Sequence, residues 1–165
     1  MEDTFAFIIH PIQIKKDVAR KYPLLGKLLS EGQINFFSRF FPPVYLSEIT
    51  GIQSQATGRE IKGWFIACPF TPPTMLRLPP ETVYRKLVAC GQMAEDLGAR
   101  MLGLGAYTSV VGDGGVTIAE RLDVPVTTGD SYTVYMAVAA IREAARVMDI
   151  DMGAAHVAVV GATGA

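Results

Sequence analysis

Short apolar runs alternate with helical stripes along most of the chain. Thr4 to Ile9 is apolar and ends at His10-Pro11, which predicts a first strand, because proline cannot continue a ladder. Leu24, Leu25, Leu28 and Leu29, then Phe36, Phe37, Phe40 and Phe41, recur at helical spacing until Pro42-Pro43 stops the helix. These residues pack a core, line an apolar pocket or touch a membrane surface. Val44–Ser54 and Arg59–Cys68 predict a hairpin around Gln55-Ala56-Thr57-Gly58, with Trp64, Ile66 and Cys68 on one face. Pro69 to Pro80 predicts a rigid loop. Pro80 to Leu97 is the clearest helix, with Val83, Leu87, Cys90, Ala94 and Leu97 on one stripe and Gly98 as its stop. Arg100–Leu104 predicts a buried strand, Val116–Leu122 a short helix and Val124–Thr127 a short strand. Ser131–Met148 predicts a long helix with Asp130 as its N-cap and Val134, Val138, Ile141, Ala145 and Met148 as its stripe. Val157 to Val160 has the pattern of a strand buried on both faces.

This alternation predicts an α/β fold, with a mixed or mostly parallel sheet flanked by helices. The 165 residues suffice for one core and the start of a second. The expected division is a substrate-binding domain over 1–150 and the first part of a nucleotide-binding Rossmann domain over 151–165. Half the residues are hydrophobic and 19% are charged, the balance of a folded chain. A net charge of −1 argues against a nucleic-acid partner. Two cysteines are too few for a disulfide scaffold and fit a cytoplasmic protein. No apolar run approaches the ~18 residues of a membrane span, and Met1-Glu2-Asp3-Thr4 is acidic where a signal peptide is basic.

Candidate chemistry lies at predicted strand ends. Gly103 to Gly115 holds five glycines with Tyr107, Thr108, Ser109 and Asp113, so backbone there can approach a ligand closely. Thr128 and Asp130 follow the next strand. Gly161, Ala162, Thr163 and Gly164 follow the Val157–Val160 run, as in the βα turn that cradles a dinucleotide pyrophosphate. The helix completing that turn would come after Ala165, so the chain reads as the front half of a larger enzyme. Lys15, Lys16, Arg20, Lys21 and Lys27, with Asp17, form either a solvated helix face or a docking surface for an acidic partner. His10 and Cys68 read first as structural residues, His10 at a strand end and Cys68 without a nearby base.

Gly103-Leu-Gly-Ala-Tyr-Thr-Ser-Val-Val, Thr127-Thr-Gly-Asp-Ser-Tyr-Thr-Val-Tyr and Val157-Ala-Val-Val-Gly-Ala-Thr-Gly, in that order, resemble the long-chain acyl-[acyl-carrier-protein] reductases. Ile49 to Phe70 is also similar, so the resemblance covers most of residues 45–165. More distantly, the chain resembles the shikimate and methylene-tetrahydrofolate dehydrogenases. The resemblance implies reduction of a fatty acyl thioester by NADPH to a free aldehyde, through a cysteine thioester. The cysteine is expected beyond residue 165, so neither Cys68 nor Cys90 inherits that role. Tyr107, Thr108, Ser109, Thr128 and Asp130 are then substrate-positioning candidates, and Gly161 to Gly164 cofactor-binding candidates. Lys15, Lys16, Arg20 and Lys21 are candidates for docking an acyl carrier protein; no metal is implied. Two alternatives stay open: a shikimate-dehydrogenase-like oxidoreductase of a small polar substrate, and a non-catalytic acyl-binding module.

These readings predict that the chain alone is inactive, binds nicotinamide nucleotide poorly and self-associates through unpaired apolar edges. Fluorescence titration with NADPH and light scattering across a concentration series check this. Micromolar affinity in a strict monomer would place the cofactor site within residues 1–165.

Overall fold

A computed structural model describes residues 3–160 and divides the chain into two compact units, Met1–Thr128 and Gly129–Ala165.

The first unit is built on a five-stranded sheet ordered β2-β3-β1-β4-β5. Its strands are β1 (Asp3–Ile9), β2 (Val44–Gln53), β3 (Glu60–Ala67), β4 (Leu102–Leu104) and β5 (Val126–Thr127). β1 lies parallel to β3 on one side and to β4 on the other, and β5 is parallel to β4. Only β2 is antiparallel, as the hairpin partner of β3, with two irregularities in its register. The α/β, mostly parallel expectation holds.

Side-chain alternation along β1 organises both faces. Ala6 and Ile8 are fully buried against a core that includes Ile66, Leu102 and Leu104 from neighbouring strands. Helix α5 (Pro80–Asp96) supplies Val83, Leu87, Cys90 and Ala94 to the same core. Burying each large apolar side chain of this set contributes roughly 1.5–3 kcal/mol relative to exposure. On the opposite face, Phe5 pairs across from Gly63 and Phe7 from Gly103. A Cβ on Gly63 would fall 2.5 Å from the Phe5 ring, and one on Gly103 2.4 Å from the Phe7 ring. The two aromatic rings therefore lie over the glycines of β3 and β4, where no other residue leaves room.

Three short helices connect β1 to β2: α1 (Ile14–Lys21), α2 (Pro23–Leu28) and α3 (Glu31–Phe37). Ser30 starts α3 with a reciprocal cap. Its hydroxyl accepts from the Gln33 N–H at 3.3 Å, and its own N–H donates to Gln33 Oε1 at 2.9 Å. Lys86 of α5 holds the far end of α3, donating to the Phe41 and Arg39 carbonyls at 2.6 and 3.3 Å. Its ammonium lies 5.6 Å from the Phe70 ring centroid.

Several expectations need correction. Pro69–Pro80 is not wholly loop, because α4 (Pro72–Arg77) begins at prolines whose missing N–H is not needed in a first turn. The glycine-rich stretch contains α6 (Tyr107–Val110), followed by α7 (Val116–Glu120). In the second unit, α8 (Asp130–Val147) takes Gly129, at φ 78°, as its N-cap. Glycine accepts that left-handed conformation, and Asp130 becomes the first helical residue. Val157–Val160 joins no ladder among the described residues, since a strand needs a paired neighbour. Gly161, Ala162, Thr163 and Gly164 lie outside the described residues. No helix among the described residues is long and apolar enough to cross a membrane.

The packing of Phe7 over Gly103 predicts that Gly103→Val destabilises the protein by about 1–3 kcal/mol through overpacking. Gly32→Ala in α3, where a Cβ meets nothing nearer than the Ser30 hydroxyl at 4.0 Å, is the comparison for glycine replacement without overpacking. Denaturant midpoints of the two variants check the difference.

Candidate functional site

The order of the parallel strands defines where a ligand crevice belongs. From β1 the chain proceeds to β3 on one side, and the connection after β3 returns past β1 to β4 on the other. Crevices in such sheets open outside the carboxyl ends of the strands at this reversal. His10 stands just past β1, and Ala106 and Tyr107 just past β4. The His10 and Tyr107 rings meet edge to face, with centroids 5.9 Å apart.

Beside this point lies a cavity of about 890 Å³, within the roughly 300–1,000 Å³ of small-molecule pockets. Ile9, His10 and Pro11 line it from the end of β1, and Ala67, Cys68 and Pro69 from the end of β3. Ile14 and Val18 of α1, Leu25 of α2 with Leu29 beyond its end, and Ile34 and Phe37 of α3 form an apolar wall. Lys16, Arg20 and Lys21 also border the cavity, so an apolar interior adjoins a basic edge. Asp17 stays local, its carboxylate accepting from the Ile12 and Gln13 N–H groups at 3.0 Å each.

His10 is the polar side chain that sequence reasoning set aside. Its Nδ1 lies 3.3 Å from the Pro11 carbonyl. A carbonyl only accepts, so this contact requires a proton on Nδ1, and in the neutral ring Nε2 is then an acceptor. Nε2 is buried and has no hydrogen-bond partner among the described residues. An orphaned buried polar atom costs about 1–3 kcal/mol, and a hydrogen-bonding group of a bound molecule would remove that cost. Only its position after a strand and before a proline marked His10 in the sequence.

A second local cost lies across the crevice. Ala106 has φ 48° and ψ −125°, where a side chain is strained. The strain sits at the β4–α6 turn, next to Tyr107. Such outliers cluster at functional sites because the surrounding structure must hold them.

Of the predicted site residues, Tyr107 is exposed beside His10. Thr108 and Ser109 are buried and donate their hydroxyls to the Gly105 and Ala106 carbonyls at 2.8 and 2.7 Å. Their hydroxyl protons brace the strained turn. Thr128 closes the first unit after β5, and Asp130 opens α8 in the second. None of these five borders the cavity. Cys68 does, and it lies with Cys90 in the core. Interaction with the Cys90 thiol draws Cys68 below its ordinary pKa, against the opposing effect of burial. The same interaction holds Cys90 well above its own, with burial acting in the same direction. Among the described residues, no group of His, Cys, Asp and Glu is arranged to hold a metal ion.

Fold and cavity together define an α/β unit with an apolar cavity at the carboxyl edge of a mostly parallel sheet. No family model matches the chain. It is 32% identical to the long-chain acyl-[acyl-carrier-protein] reductase of Synechococcus elongatus, over 74% of this chain and 38% of that protein. It is 29% identical to the aminotransferase PigE of a Serratia species, over 97% of this chain and 19% of that protein. The chain therefore spans well under half the length of either relative, and the relationship to the reductase is distant.

His10→Leu replaces the orphaned nitrogen with apolar volume. It is expected to leave the thermal midpoint unchanged or to raise stability by up to ~1 kcal/mol. Thermal melts check this, and a large loss would mean that Nε2 already has a structural partner.

Proposed function

We propose that residues 3–128 form the acyl-binding part of an oxidoreductase that reduces a long-chain fatty acyl thioester to a fatty aldehyde with NADPH. The observation that carries this reading is the apolar cavity, bounded by His10 at the sheet and by Lys16, Arg20 and Lys21 at its edge. An alkyl chain fits the interior, and the basic edge suits the anionic carrier of a thioester, an acyl carrier protein or coenzyme A. The distant match to the reductase supports the same assignment. The predominantly apolar lining favours an alkyl chain over a small polar substrate.

In this reading the chain's own residues bind, orient and exclude water. Ile14, Leu25, Leu29, Ile34 and Phe37 hold the alkyl chain and keep water from the reacting carbonyl. His10 Nε2 meets a donor near the thioester, and Tyr107 limits the movement of the His10 ring. Thr108 and Ser109 keep the β4–α6 turn in its strained form. Thr128 and Asp130 remain candidates for positioning polar parts of the substrate. The nicotinamide supplies hydride to the acyl carbon when bound. The residues proposed to hold it, Gly161, Ala162, Thr163 and Gly164, follow the described part of the chain.

Chain length tests the reading. Acyl-coenzyme A thioesters from four to sixteen carbons are titrated by calorimetry against the protein and against Leu25→Trp, which narrows the cavity. Affinity is expected to rise about fourfold per added methylene until the cavity is full, and Leu25→Trp should shorten the chain length at which that rise stops. Binding that ignores chain length, or that survives the tryptophan unchanged, would exclude the acyl assignment.

A further inference from the structure

The segment from Ile12 to Phe41 differs in surface character from the rest of the chain. It holds six Lys and Arg against two Asp and Glu, a net charge of +4. The remaining residues hold nine against fourteen, a net charge of −5. The same thirty residues contain the four most exposed large hydrophobic side chains described in the first unit. These are Ile12 at 82%, Leu28 at 78%, Phe40 at 74% and Leu24 at 73%. Leu24 and Leu28 share one side of α2 at i, i+4 spacing. Phe36 and Phe40 are also four apart and meet edge to face at 5.8 Å.

These side chains are separate from the cavity wall. Leu25, Leu29, Phe37 and Phe41 border the cavity, while Leu24, Leu28, Phe36 and Phe40, each one position earlier, do not and are exposed. Leu24 and Leu28 of α2 and Phe36 of α3, with Phe40 in the turn after α3 packed on Phe36, make up the segment's outer apolar side. The outer side is flanked by Lys15 and Lys27, which have no ion pair among the described residues.

We propose that this outer side docks on an anionic lipid bilayer, with Ile12, Leu24, Leu28, Phe36 and Phe40 entering the headgroup region and the lysines meeting lipid phosphates. The composition selects this occupant. Protein interfaces concentrate Trp, Tyr, Phe, Met and Arg and are depleted of Lys, and of that enriched set the apolar positions here carry Phe alone. Exposed Leu, Ile and Phe among lysines is the pattern of interfacial membrane helices. Charge complementarity selects anionic lipid. This docking does not depend on the acyl reading, which concerns the inner side of the same helices.

The test is sedimentation of the full chain with vesicles of pure phosphatidylcholine and of phosphatidylcholine with 30% phosphatidylglycerol. Binding is expected to the anionic vesicles only and to weaken with added salt. Leu28→Ser/Phe40→Ser should lower the partition coefficient by about tenfold or more, as should Lys27→Glu. Lys27, Leu28 and Phe40 are exposed and do not border the cavity, so circular dichroism and palmitoyl-coenzyme A binding should match the parent. Failure here with intact acyl binding therefore leaves the proposed function standing. No vesicle binding, equal binding to both compositions, or binding indifferent to Leu28→Ser/Phe40→Ser would overturn the proposal. So would light scattering that shows the same substitutions dissolving a dimer, or a purified acidic carrier protein occupying this side in place of vesicles.

Discussion

The first unit depends on β1 being held as a parallel strand between β3 and β4. That position sets the two faces of the sheet, with Ala6 and Ile8 in the core and Phe5 and Phe7 over the glycines of the neighbours. It also sets where chemistry can occur. The connection from β1 leaves toward β3, and β4 lies on the other side, so the carboxyl end of β1 opens into a crevice. His10, the cavity and the strained Ala106 turn all gather at that end. A change in the pairing of β1 would disturb the core and the site together.

The fold was legible where periodicity is long and unambiguous. The α5 stripe of Val83, Leu87, Cys90 and Ala94 is buried as read, and the hairpin around Gly58 forms between the predicted strands. Reading failed where local rules compete. Prolines at 72 and 73 suggested a loop, yet they also suit the first turn of a helix. Asp130 is a good N-cap by type, but Gly129 supplies the conformation that starts α8. Residues 107–110 form only one helical turn, which is too short for a periodic signal.

The site was less legible, for a different reason. Polar residues in the glycine-rich stretch attracted attention because residue type suggests chemistry. Two of them spend their hydroxyls on neighbouring carbonyls within their own turn. The unsatisfied group is on His10, and a missing partner cannot be seen in a sequence. It depends on what lies around the ring in three dimensions, including Tyr107, nearly a hundred positions away.

The leucine and phenylalanine repeats show what periodicity leaves open. Spacing alone placed Leu24, Leu25, Leu28 and Leu29 on a helix but could not divide them between core, pocket and surface. In the structure each adjacent pair splits, one member toward the cavity and one toward solvent. A helix that covers a pocket has two apolar sides for a physical reason. Its inner residues must exclude water from the cavity, while its outer residues answer to whatever lies outside. Polar residues would be the neutral choice if that were water alone. Outer Leu and Phe among lysines are costly in water, and contact with an anionic lipid surface relieves that cost.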